Sequence, residues 1–364
     1  MKVIQIIPEL NSGGVELCVM EIAQCLVRNG HTSIVISHGG RLVKELESAG
    51  SRHITLPVHR KHPSSILQIP QLRRIFLNEK PDIIHPQSRL PAWLTYLAWK
   101  SMPVAQKPRL ITTVHGFHSV NRYSAIMTKG EQVICVSHSI KEHILRDYPT
   151  VDTNKLHVIY GGIDPALYYP AYQPPTDWMN DWKSQNPQFI GKKTLVLPGR
   201  ITRLKGHQEF LALMQKLREN DLPIHGIIVG DTHPKKRSYL AELKELTKQL
   251  RLEDDVSFLG HRSDLRNITS VTDITLSLSR QPEAFGRTAL EAVALGKPVI
   301  GHAIGGVNEI LSACYPDGLV PPHDGDTLLK TTCAILNNPR KPMAIPDCFT
   351  LSSMSANILA LYKS

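Results

Sequence analysis

The chain has 364 residues, a length that suits two domains of average size. Its apolar content of 41% and charged content of 20% are ordinary for a globular protein and do not indicate disorder. Its six cysteines include no C-x-x-C pair and lie mostly in apolar stretches, so we interpret them as reduced, buried thiols rather than as a disulfide or zinc framework. No apolar run approaches the roughly 18 residues of a membrane span, and we interpret MKVIQIIPEL as a first strand rather than a secretion signal. We therefore expect a cytoplasmic protein.

The formal net charge of +10 is concentrated in one part of the chain. Residues 55–110 contain nine basic side chains and two acidic ones. Three kinds of partner fit such a surface: a nucleic acid, an anionic membrane, or a phosphorylated substrate. Composition alone leaves all three open.

The first half of the chain alternates between short apolar strands and helical patterns. In GVELCVMEIAQCLVRNG, for example, apolar residues recur every three or four positions up to Gly30. Continuous apolar strands separated by helices indicate a parallel sheet covered on both faces. Six strands are predicted, at KVIQIIP, TSIVIS, RHITLP, PDIIHP, RLITTVH and EQVICVS.

The alternation stops once and then restarts. Residues 171–190 are rich in Pro, Asn and Gln, and we interpret them as a linker. An N-terminal domain of residues 1–170 and a C-terminal domain of residues 191–349 follow from this, with residues 350–364 expected to pack back on the first domain. The second domain is predicted to contain strands at KTLVLPG, IHGIIVG, DVSFLG, DITLSLS and KPVIGH.

This order of elements predicts an α/β protein of two facing, doubly wound parallel-sheet domains of the Rossmann-like type. Ligands of such sheets bind outside the carboxyl ends of the strands. We therefore expect the site in the cleft between the two domains, lined by the loops that follow these strands.

Two basic residues follow the strand KTLVLPG. Arg200 and Lys205 lie five residues apart in GRITRLKG, on a turn that opens a helix near Gly206. Two cations and the free N–H groups of a helix N-terminus can together neutralise a diphosphate. The alternative is that both side chains are solvated loop residues, and the motif taken alone favours this second interpretation.

The segment PEAFGRTALEA follows the strand DITLSLS, with Glu283 in a loop and Glu291 in the next helix. A carboxylate accepts hydrogen bonds from vicinal sugar hydroxyls, and a helix N-terminus binds phosphate, so the pair suits a ribose diphosphate. Alternatively, Glu283 interacts with the helix dipole and Glu291 is solvated. The apolar neighbours of Glu291 nevertheless require a partner for its carboxylate.

Glycine pairs and one histidine mark the ends of other strands. Gly13–Gly14 and Gly305–Gly306 allow a backbone to approach a phosphate, although any strand-to-helix turn favours glycine. His115 ends the strand RLITTVH and is expected at the carboxyl edge of the sheet. HDGD contains an Asp-x-Asp, but we interpret Asp326 as a helix N-cap and expect neither a metal nor a cofactor.

Together these motifs resemble glycosyltransferase family 4, a large family of retaining enzymes of the GT-B type that includes sucrose synthases and many bacterial lipopolysaccharide and polysaccharide glycosyltransferases. The resemblance covers nearly the whole chain, and its specific part lies in the C-terminal domain. The motifs that carry it are GRITRLKG, PEAFGRTALEA, NSGGVE and IGGVNE.

The resemblance implies a role for each candidate residue. Arg200 and Lys205 would hold the diphosphate of a nucleotide-sugar, Glu291 would bind its ribose, and the base would lie against the loop near Arg262. Glu283 would bind the transferred sugar. The implied catalytic residues are His115, Arg200, Lys205 and Glu283, and the implied donor-binding residues are Gly13, Gly14, Arg200, Lys205, Arg262, Glu283, Ala284, Phe285, Gly286 and Glu291.

The same resemblance implies a metal-independent hexosyltransferase that uses a UDP- or GDP-sugar. No motif supplies a nucleophilic carboxylate, so the implied mechanism is retention by attack on the face of the leaving phosphate, whose charge the cations stabilise. The segment ITTVHGFHSVNRYSAIMTKGEQVICVSHSI is also similar to lipopolysaccharide-core glycosyltransferases. An anionic cell-envelope glycan or glycolipid is therefore the expected acceptor.

The basic residues of 55–110 would meet that acceptor or the cytoplasmic face of the inner membrane. Trp93, Tyr96 and Trp99 occur there at helical spacing, flanked by Arg89 and Lys100. Such a pattern fits a peripheral membrane contact. It equally fits aromatic side chains that form the core beneath a crossover helix.

Two other functions stay open at this point. A nucleotide-sugar epimerase shares the architecture and would consume the donor without an acceptor. A non-enzymatic binder of anionic surfaces would use the basic residues alone. Those residues are scattered and match no RNA-binding motif, so we expect no nucleic-acid partner.

Overall fold

The structure, a computed structural model, divides into two compact units. Unit 1 comprises Met1–Gly162 with Leu351–Ser364, and unit 2 comprises Ile163–Thr350. Ser12 of the NSGGVE motif lies outside the described residues. The ranges that the structure describes are 1–11, 13–220, 222–232 and 237–364, without the side chain of residue 237.

Thirteen strands are present in the described part of the chain, seven in unit 1 and six in unit 2. In unit 1 they are β1 (Lys2–Ile6), β2 (Thr32–Ser37), β3 (Arg52–Thr55), β4 (Ile83–Pro86), β5 (Arg109–Val114), β6 (Gln132–Cys135) and β7 (Leu156–Val158). In unit 2 they are β8 (Lys193–Pro198), β9 (Ile224–Val229), β10 (Val256–Gly260), β11 (Ile274–Ser277), β12 (Val299–His302) and β13 (Leu319–Val320).

The α-helices alternate with these strands. The first seven are α1 (Gly14–Arg28), α2 (Val43–Ser48), α3 (Gln68–Glu79), α4 (Arg89–Lys100), α5 (His138–Asp147), α6 (Thr176–Gln185) and α7 (His207–Glu219). They are followed by α8 (Arg237–Gln249), α9 (Leu265–Val271), α10 (Arg287–Ala294), α11 (Gly305–Cys314), α12 (Gly325–Asn337) and α13 (Leu351–Lys363).

Each unit is built around one parallel sheet. The strand order is β3-β2-β1-β4-β5-β6-β7 in unit 1 and β10-β9-β8-β11-β12-β13 in unit 2. The order reverses between β1 and β4 and between β8 and β11, which are the places where a doubly wound sheet opens a crevice at the carboxyl ends of its strands. The predicted fold class of two Rossmann-like parallel-sheet domains is confirmed.

All eleven predicted strands are present. The central strands form because their residues are apolar and buried on both faces: in β8, β9 and β11 nearly every residue is buried. The edge strands β3 and β10 are mostly half-buried or exposed. The strands β7 and β13 were not predicted. They have only three and two residues, too few for a periodic pattern to show.

The C-terminal helix α13 belongs to unit 1. Its residues Met354, Ile358 and Leu361 are buried in one cluster with Ile22 and Leu26 of α1. The guanidinium group of residue 109 on β5 also donates hydrogen bonds to the carbonyls of residues 361 and 362, at 3.3 and 2.9 Å. These bonds satisfy carbonyl groups in the last turn that lack partners within the helix.

The segment 171–190, predicted to be a linker, lies within unit 2 and contains α6. The rings of Trp178 and Trp182 stack with their centroids 5.1 Å apart, and Trp182 is packed in a buried cluster with Ile227 of β9. The indole N–H of Trp178 donates to Asp264 Oδ2 at 2.7 Å. Two apolar anchors one helical turn apart thus tie a polar segment to the second unit.

The aromatic side chains of α4 pack against the protein. Tyr96 and Trp99 contact the buried cluster beneath the helix, and Trp99 donates its indole N–H to the Pro108 carbonyl at 2.7 Å. Trp93 donates to the Tyr123 carbonyl at 2.9 Å. The core interpretation therefore accounts for Tyr96 and Trp99, whereas Trp93 is half-buried and is held by its hydrogen bond. Within the described ranges, none of the helices combines the length and the apolar composition needed to cross a bilayer.

Candidate active site

The loops after β8 and β11 meet at the crevice of unit 2. Gly206 ends the first loop with φ +73°, and a Cβ atom there would lie 2.0 Å from the Leu278 carbonyl oxygen of the second. Arg280 also donates its N–H to the Leu204 carbonyl at 2.8 Å. Only glycine allows this approach, which brings the flanking residues of both loops together.

The approach places Lys205 against Glu283. The Lys205 Nζ atom lies 2.7 Å from Glu283 Oε1, and the Ser279 hydroxyl donates to the same oxygen. Burial alone would raise the pKa of Glu283, but the Lys205 ammonium and the hydroxyls of Ser279 and Ser277 outweigh it and lower the pKa below its ordinary value. The Glu283 carboxylate is therefore charged at neutral pH.

The residues predicted to hold the diphosphate and the sugar thus neutralise each other. The Lys205 and Glu283 side chains remain 30% and 19% exposed, so a ligand that carries an anion beside a hydroxyl can exchange with the pair. Arg200 lies in the same loop but is not part of the pair. It is exposed, and no other described residue forms a hydrogen bond or ion pair with its guanidinium.

Glu291 has the partners that its apolar neighbourhood requires. Arg287, one turn earlier in α10, donates from Nε to Glu291 Oε1 at 2.9 Å. The Tyr168 hydroxyl also hydrogen-bonds to Glu291, and the pKa of Tyr168 is raised by burial and then by the nearby Glu291 charge. The sequence pattern did not identify Arg287 or Tyr168. The ribose-binding role of Glu291 stays a prediction.

The loop that carries Glu283 is held against the N-terminus of α11. The Gly306 N–H donates to the Glu283 carbonyl at 2.8 Å. A Cβ atom on Gly305, whose φ is +61°, would lie 2.5 Å from that same oxygen, and one on Gly306 would lie 2.3 Å from the Phe285 carbonyl oxygen. The packing of this loop explains this glycine pair without a phosphate ligand.

The following residues lead into α10. Ala284 and Phe285 are half-buried, and the Phe285 ring lies 6.2 Å from that of Phe349. Gly286, with φ +95°, is the N-cap residue of α10. The N–H groups of the first turn of this helix therefore open beside the Glu283 loop, as an anion site requires.

His302, at the end of β12, is a buried histidine that the sequence analysis did not single out. Its Nδ1 lies 3.0 Å from the Ser279 carbonyl oxygen and its Nε2 lies 3.1 Å from Glu209 Oε1. Burial alone would lower the pKa of His302, but the hydrogen bonds to Glu209 and Ser279 raise it. Both partners can only accept hydrogen bonds, so the protonated ring, which donates from both nitrogens, is favoured. Its bond to the Ser279 carbonyl fixes the backbone of Ser279, whose hydroxyl contacts Glu283.

Arg262 follows β10 and forms an ion pair with Asp264. Its Nε and Nη2 atoms donate to the two carboxylate oxygens of Asp264 at 2.8 and 2.6 Å. The structure does not bring its guanidinium into the Lys205–Glu283 pair. The predicted contact with a nucleotide base, expected mainly through the backbone of this loop, stays a prediction.

The N-cap prediction for Asp326 was wrong. Asp324 is the N-cap of α12, because its carboxylate accepts the Thr327 N–H at 2.9 Å. Asp326 instead pairs with Lys216 Nζ at 2.8 Å. Both carboxylates are thus engaged by protein groups, and no cluster of three or more His, Cys, Asp or Glu side chains suited to a metal ion occurs in the described ranges.

In unit 1, Gly13 and Gly14 begin α1 after β1. Gly13 has φ +154°, and a Cβ atom there would meet only the flexible side chain of Glu16. A Cβ atom on Gly14 would have nothing within 4 Å. Unlike Gly306, Gly14 is not required by the packing of the chain, which fits the predicted approach of a ligand at this point.

His115 follows β5 and lies at the carboxyl edge of the unit 1 sheet. Its Nε2 atom lies 2.8 Å from Oε1 of Gln87, a residue that follows β4. Burial, with a smaller contribution from His118, lowers the pKa of His115 to about 3. The ring is therefore neutral at physiological pH. The sequence analysis found His115 but not Gln87.

Two family models match the chain, Glycosyltransferase Family 4 over residues 12–167 and Glycosyl transferases group 1 over residues 179–346. A glycosyltransferase of known structure from Rickettsia africae is 30% identical, with a TM-score of 0.84 over 100% of this chain and 97% of that one. The chain belongs to the GT-B glycosyltransferases of the family 4 type. This membership confirms the resemblance and favours a glycosyltransferase over the epimerase and binder hypotheses.

The chain is also similar to two N-acetylglucosaminyl enzymes. The phosphatidylinositol N-acetylglucosaminyltransferase polypeptide of Homo sapiens is 27% identical over 85% of this chain, which spans 62% of the human protein. N-acetyl-alpha-D-glucosaminyl L-malate synthase of Bacillus anthracis is 26% identical over 82% of this chain and 78% of that protein. Anabaena HepE, solved with UDP and glucose, shares the fold with a TM-score of 0.84 at 20% identity over the full length of both chains.

Proposed function

We propose that this glycosyltransferase moves a hexosyl unit, N-acetylglucosamine in the first instance, from a UDP-sugar to an anionic acceptor and retains the configuration at the anomeric carbon. The observation that carries the proposal is the 2.7 Å contact between Lys205 and Glu283. A cation and a carboxylate are thereby placed at one point, where the strand order of the unit 2 sheet reverses and a doubly wound sheet binds its ligand.

The charges at this point suit a nucleotide-sugar. The Lys205 ammonium, the Arg200 guanidinium and the N-termini of α7 and α10 supply positive potential for a diphosphate. Glu283, once released from Lys205, can accept a hydrogen bond from a sugar hydroxyl, and Glu291 can accept from a ribose. HepE, of the same fold, holds UDP and glucose, which supports uracil as the base.

These groups act on the bond that breaks. As the bond between the anomeric carbon and the diphosphate lengthens, negative charge accumulates on the leaving phosphate and positive charge on the sugar. Lys205 and Arg200 stabilise the first charge more strongly in the transition state than in the ground state. The proton of the attacking hydroxyl passes to the leaving phosphate on the same face, and this path retains the configuration.

The comparisons support N-acetylglucosamine as the sugar and an anion as the acceptor. Both relatives are named for this sugar, whereas their acceptors, phosphatidylinositol and malate, share only a negative charge. The charge of +10, with nine basic residues in 55–110, is complementary to such an acceptor. An anionic glycolipid on the cytoplasmic face of the inner membrane, including the lipopolysaccharide core, fits the same surface.

A transfer assay with defined donors tests the proposal. The purified protein is incubated with UDP-N-acetylglucosamine, UDP-glucose or a GDP-hexose, with and without vesicles that contain an anionic glycolipid or with a soluble dicarboxylate. We expect sugar transfer that depends on both a UDP-sugar and an anionic acceptor, and an α-configured product from an α-configured donor by NMR. A product of inverted configuration, or conversion of the donor without any acceptor, would contradict the proposal.

A further inference from the structure

His115 is held by a network of polar side chains in the interior of unit 1. Each member is at most 2% exposed. A buried polar atom without a partner costs about 1–3 kcal/mol, so the donors and acceptors of such a network have to match. The members are Gln5 on β1, His85 on β4, Gln87 after β4, Thr113 on β5 and Tyr362 on α13.

The direction of the hydrogen bonds is set at the Val19 carbonyl, which can only accept. The amide nitrogen of Gln5 donates to it at 3.1 Å, so Gln5 Oε1 points away and accepts from the amide nitrogen of Gln87 at 3.0 Å. Gln87 Oε1 is then directed at His115 Nε2, at 2.8 Å. An amide oxygen accepts, and the hydrogen of His115 is therefore on Nε2.

A second branch of the network agrees with this direction. When His85 Nδ1 carries no hydrogen, the Tyr362 hydroxyl, 2.6 Å away, donates to it. The amide nitrogen of Gln87 lies farther from the same atom, at 3.3 Å. His85 Nε2 then donates to Thr113 Oγ1 at 2.7 Å. Burial lowers the pKa of both His85 and His115 to about 3, so both rings are neutral.

We propose that Gln87 is a positioning residue that fixes His115 as the Nε2-protonated tautomer and presents its Nδ1 atom as a hydrogen-bond acceptor for a sugar hydroxyl. No described residue donates a hydrogen bond to this Nδ1 atom. The identity of the ligand rests on the proposed function, whereas the tautomer does not. Through Tyr362, the C-terminal helix takes part in fixing the orientation of the network.

The fixed tautomer has a consequence for specificity. A partly buried acceptor nitrogen forms a hydrogen bond with a sugar hydroxyl but not with the hydrogen atom that replaces it in a deoxy sugar. A sugar donor that lacks this one hydroxyl should therefore bind and react less well. In a series of monodeoxy donors, one analogue should react about equally well with the wild type and with His115→Ala. The complete donor should lose rate in His115→Ala.

The tautomer can be measured directly in the unliganded protein. Long-range ¹H–¹⁵N correlation spectra of protein labelled in its histidines distinguish Nε2–H from Nδ1–H and from the imidazolium, and the spectrum of His115→Asn assigns the His115 signals. We expect an Nε2–H ring that does not titrate between pH 5 and 8. An Nδ1–H ring, or titration of His115 within that range, would overturn the proposal whether or not the protein binds a nucleotide-sugar.

Variants test whether Gln87 is the cause. Gln87→Leu removes the acceptor and should give a mixture of His115 tautomers and lower kcat/KM for transfer about 10- to 100-fold. Gln132→Leu is the matched control, because Gln132 Oε1 lies 2.6 Å from His157 Nε2 in the same unit. It should leave the His115 signals and the kinetics unchanged.

Gln87→Leu also removes the hydrogen bond that Gln87 donates to Gln5 Oε1, and this buried oxygen is then left without a partner. A second variant is therefore needed. The isosteric Gln87→Glu keeps the acceptor but adds a buried charge, and it should make His115 titrate at higher pH. Unchanged His115 signals in a folded variant of either kind would refute Gln87 as the positioning residue. Failure of UDP-sugar binding, measured separately by calorimetry on the wild type, would instead count against the proposed function.

Discussion

The two candidate ligand-binding regions hold their key side chains by opposite means. In unit 2, Lys205 and Glu283 carry opposite charges, contact each other at 2.7 Å and remain partly exposed. In unit 1, His115 is neutral and is fixed by amides and hydroxyls that are almost fully buried. In the first region two opposite charges neutralise each other, whereas in the second region hydrogen bonds among neutral groups fix one ring.

The energies of the two arrangements explain this difference. Leaving one charge of a largely buried ion pair without a partner is costly, but a charged ligand that reaches the partly exposed Lys205–Glu283 pair replaces one charged partner by another. Breaking a buried amide network leaves unpaired groups at about 1–3 kcal/mol each. We therefore predict that the first region stabilises charge that develops during the reaction and that the second keeps the geometry of a neutral hydrogen-bond acceptor. Four substitutions test this contrast.

The largest effect is expected for Lys205→Ala. Loss of a cation at the leaving phosphate should lower kcat by about 10²- to 10³-fold, the usual cost of removing one group that stabilises transition-state charge. Lys216→Ala is the matched control, because Lys216 also pairs with a carboxylate, Asp326, at 2.8 Å. Steady-state kinetics should be measured for both variants. If Lys205→Ala were as active as Lys216→Ala, Lys205 would not be the residue that stabilises the leaving phosphate.

Glu291→Ala is expected to weaken donor binding rather than the chemical step. Loss of a charged hydrogen-bond acceptor costs about 1.5–3 kcal/mol, which corresponds to roughly 10- to 100-fold in the donor Kd. Tyr168→Phe removes a protein hydrogen bond to Glu291 but keeps the carboxylate, and it should change the Kd less than about threefold. Calorimetry with UDP would favour a purely structural Glu291 if the two variants bound equally well.

The His302–Glu209 pair should give unit 2 a pH-dependent stability. Because the pKa of His302 is raised in the folded state, the pair contributes fully below the unfolded value of about 6.5 and is lost as the pH rises through the folded pKa. The free energy of unfolding of the wild type should therefore fall as the pH rises above about 6.5, and that of His302→Gln should not show this fall.

His225 provides a control of opposite sign for that experiment. Burial lowers its pKa to about 4, so its unfavourable contribution appears as the pH falls below about 6.5. Urea unfolding of the wild type, His302→Gln and His225→Asn across this range separates the two. A wild-type profile parallel to that of His302→Gln above pH 6.5 would contradict the assignment of a charged His302.

The smallest effect on stability is expected for Gly14→Ala. A Cβ atom there meets nothing within 4 Å at the first position of a helix, so the free energy of unfolding should change by less than about 0.5 kcal/mol. Gly306→Ala, whose Cβ would press on the Phe285 carbonyl, should destabilise by about 1–3 kcal/mol. If Gly14 serves ligand approach, Gly14→Ala raises the donor KM without unfolding, and an unchanged KM would remove that role.

The sequence was sufficient for the fold because the long strands are apolar throughout and the turns carry glycine. It was misleading at 171–190, where Pro, Asn and Gln dominate but Trp178 and Trp182, four residues apart, anchor α6 to unit 2. In HDGD, Asp326 was predicted as the N-cap of the following helix, whereas Asp324 is the N-cap of α12. Both residues fit the sequence pattern, and only the backbone geometry of the turn distinguishes them.

The charged residues of the candidate site could be predicted from the sequence, whereas most of the neutral residues around His115 could not. Lys205, Glu283 and Glu291 stand out in their motifs. The pairing of Lys205 with Glu283 joins residues 78 apart, and Glu291 is bonded by Arg287 in its own helix and by Tyr168 in a distant loop. The neutral network did leave a signal: Gln5 interrupts an apolar strand, His85 interrupts the neighbouring strand β4, and Gln87 follows immediately after β4 ends. Pairing that signal with His115 requires the strand order, which the sequence does not contain.

A structure of the complex with a UDP-sugar would decide whether Lys205, Glu283 and Glu291 bind the donor. We expect the diphosphate within hydrogen-bond distance of Lys205 Nζ and the Lys205–Glu283 contact broken or shared with the ligand. We also expect a ribose hydroxyl to donate to Glu291. A complex in which the nucleotide binds elsewhere, with the 2.7 Å contact intact, would contradict these expectations.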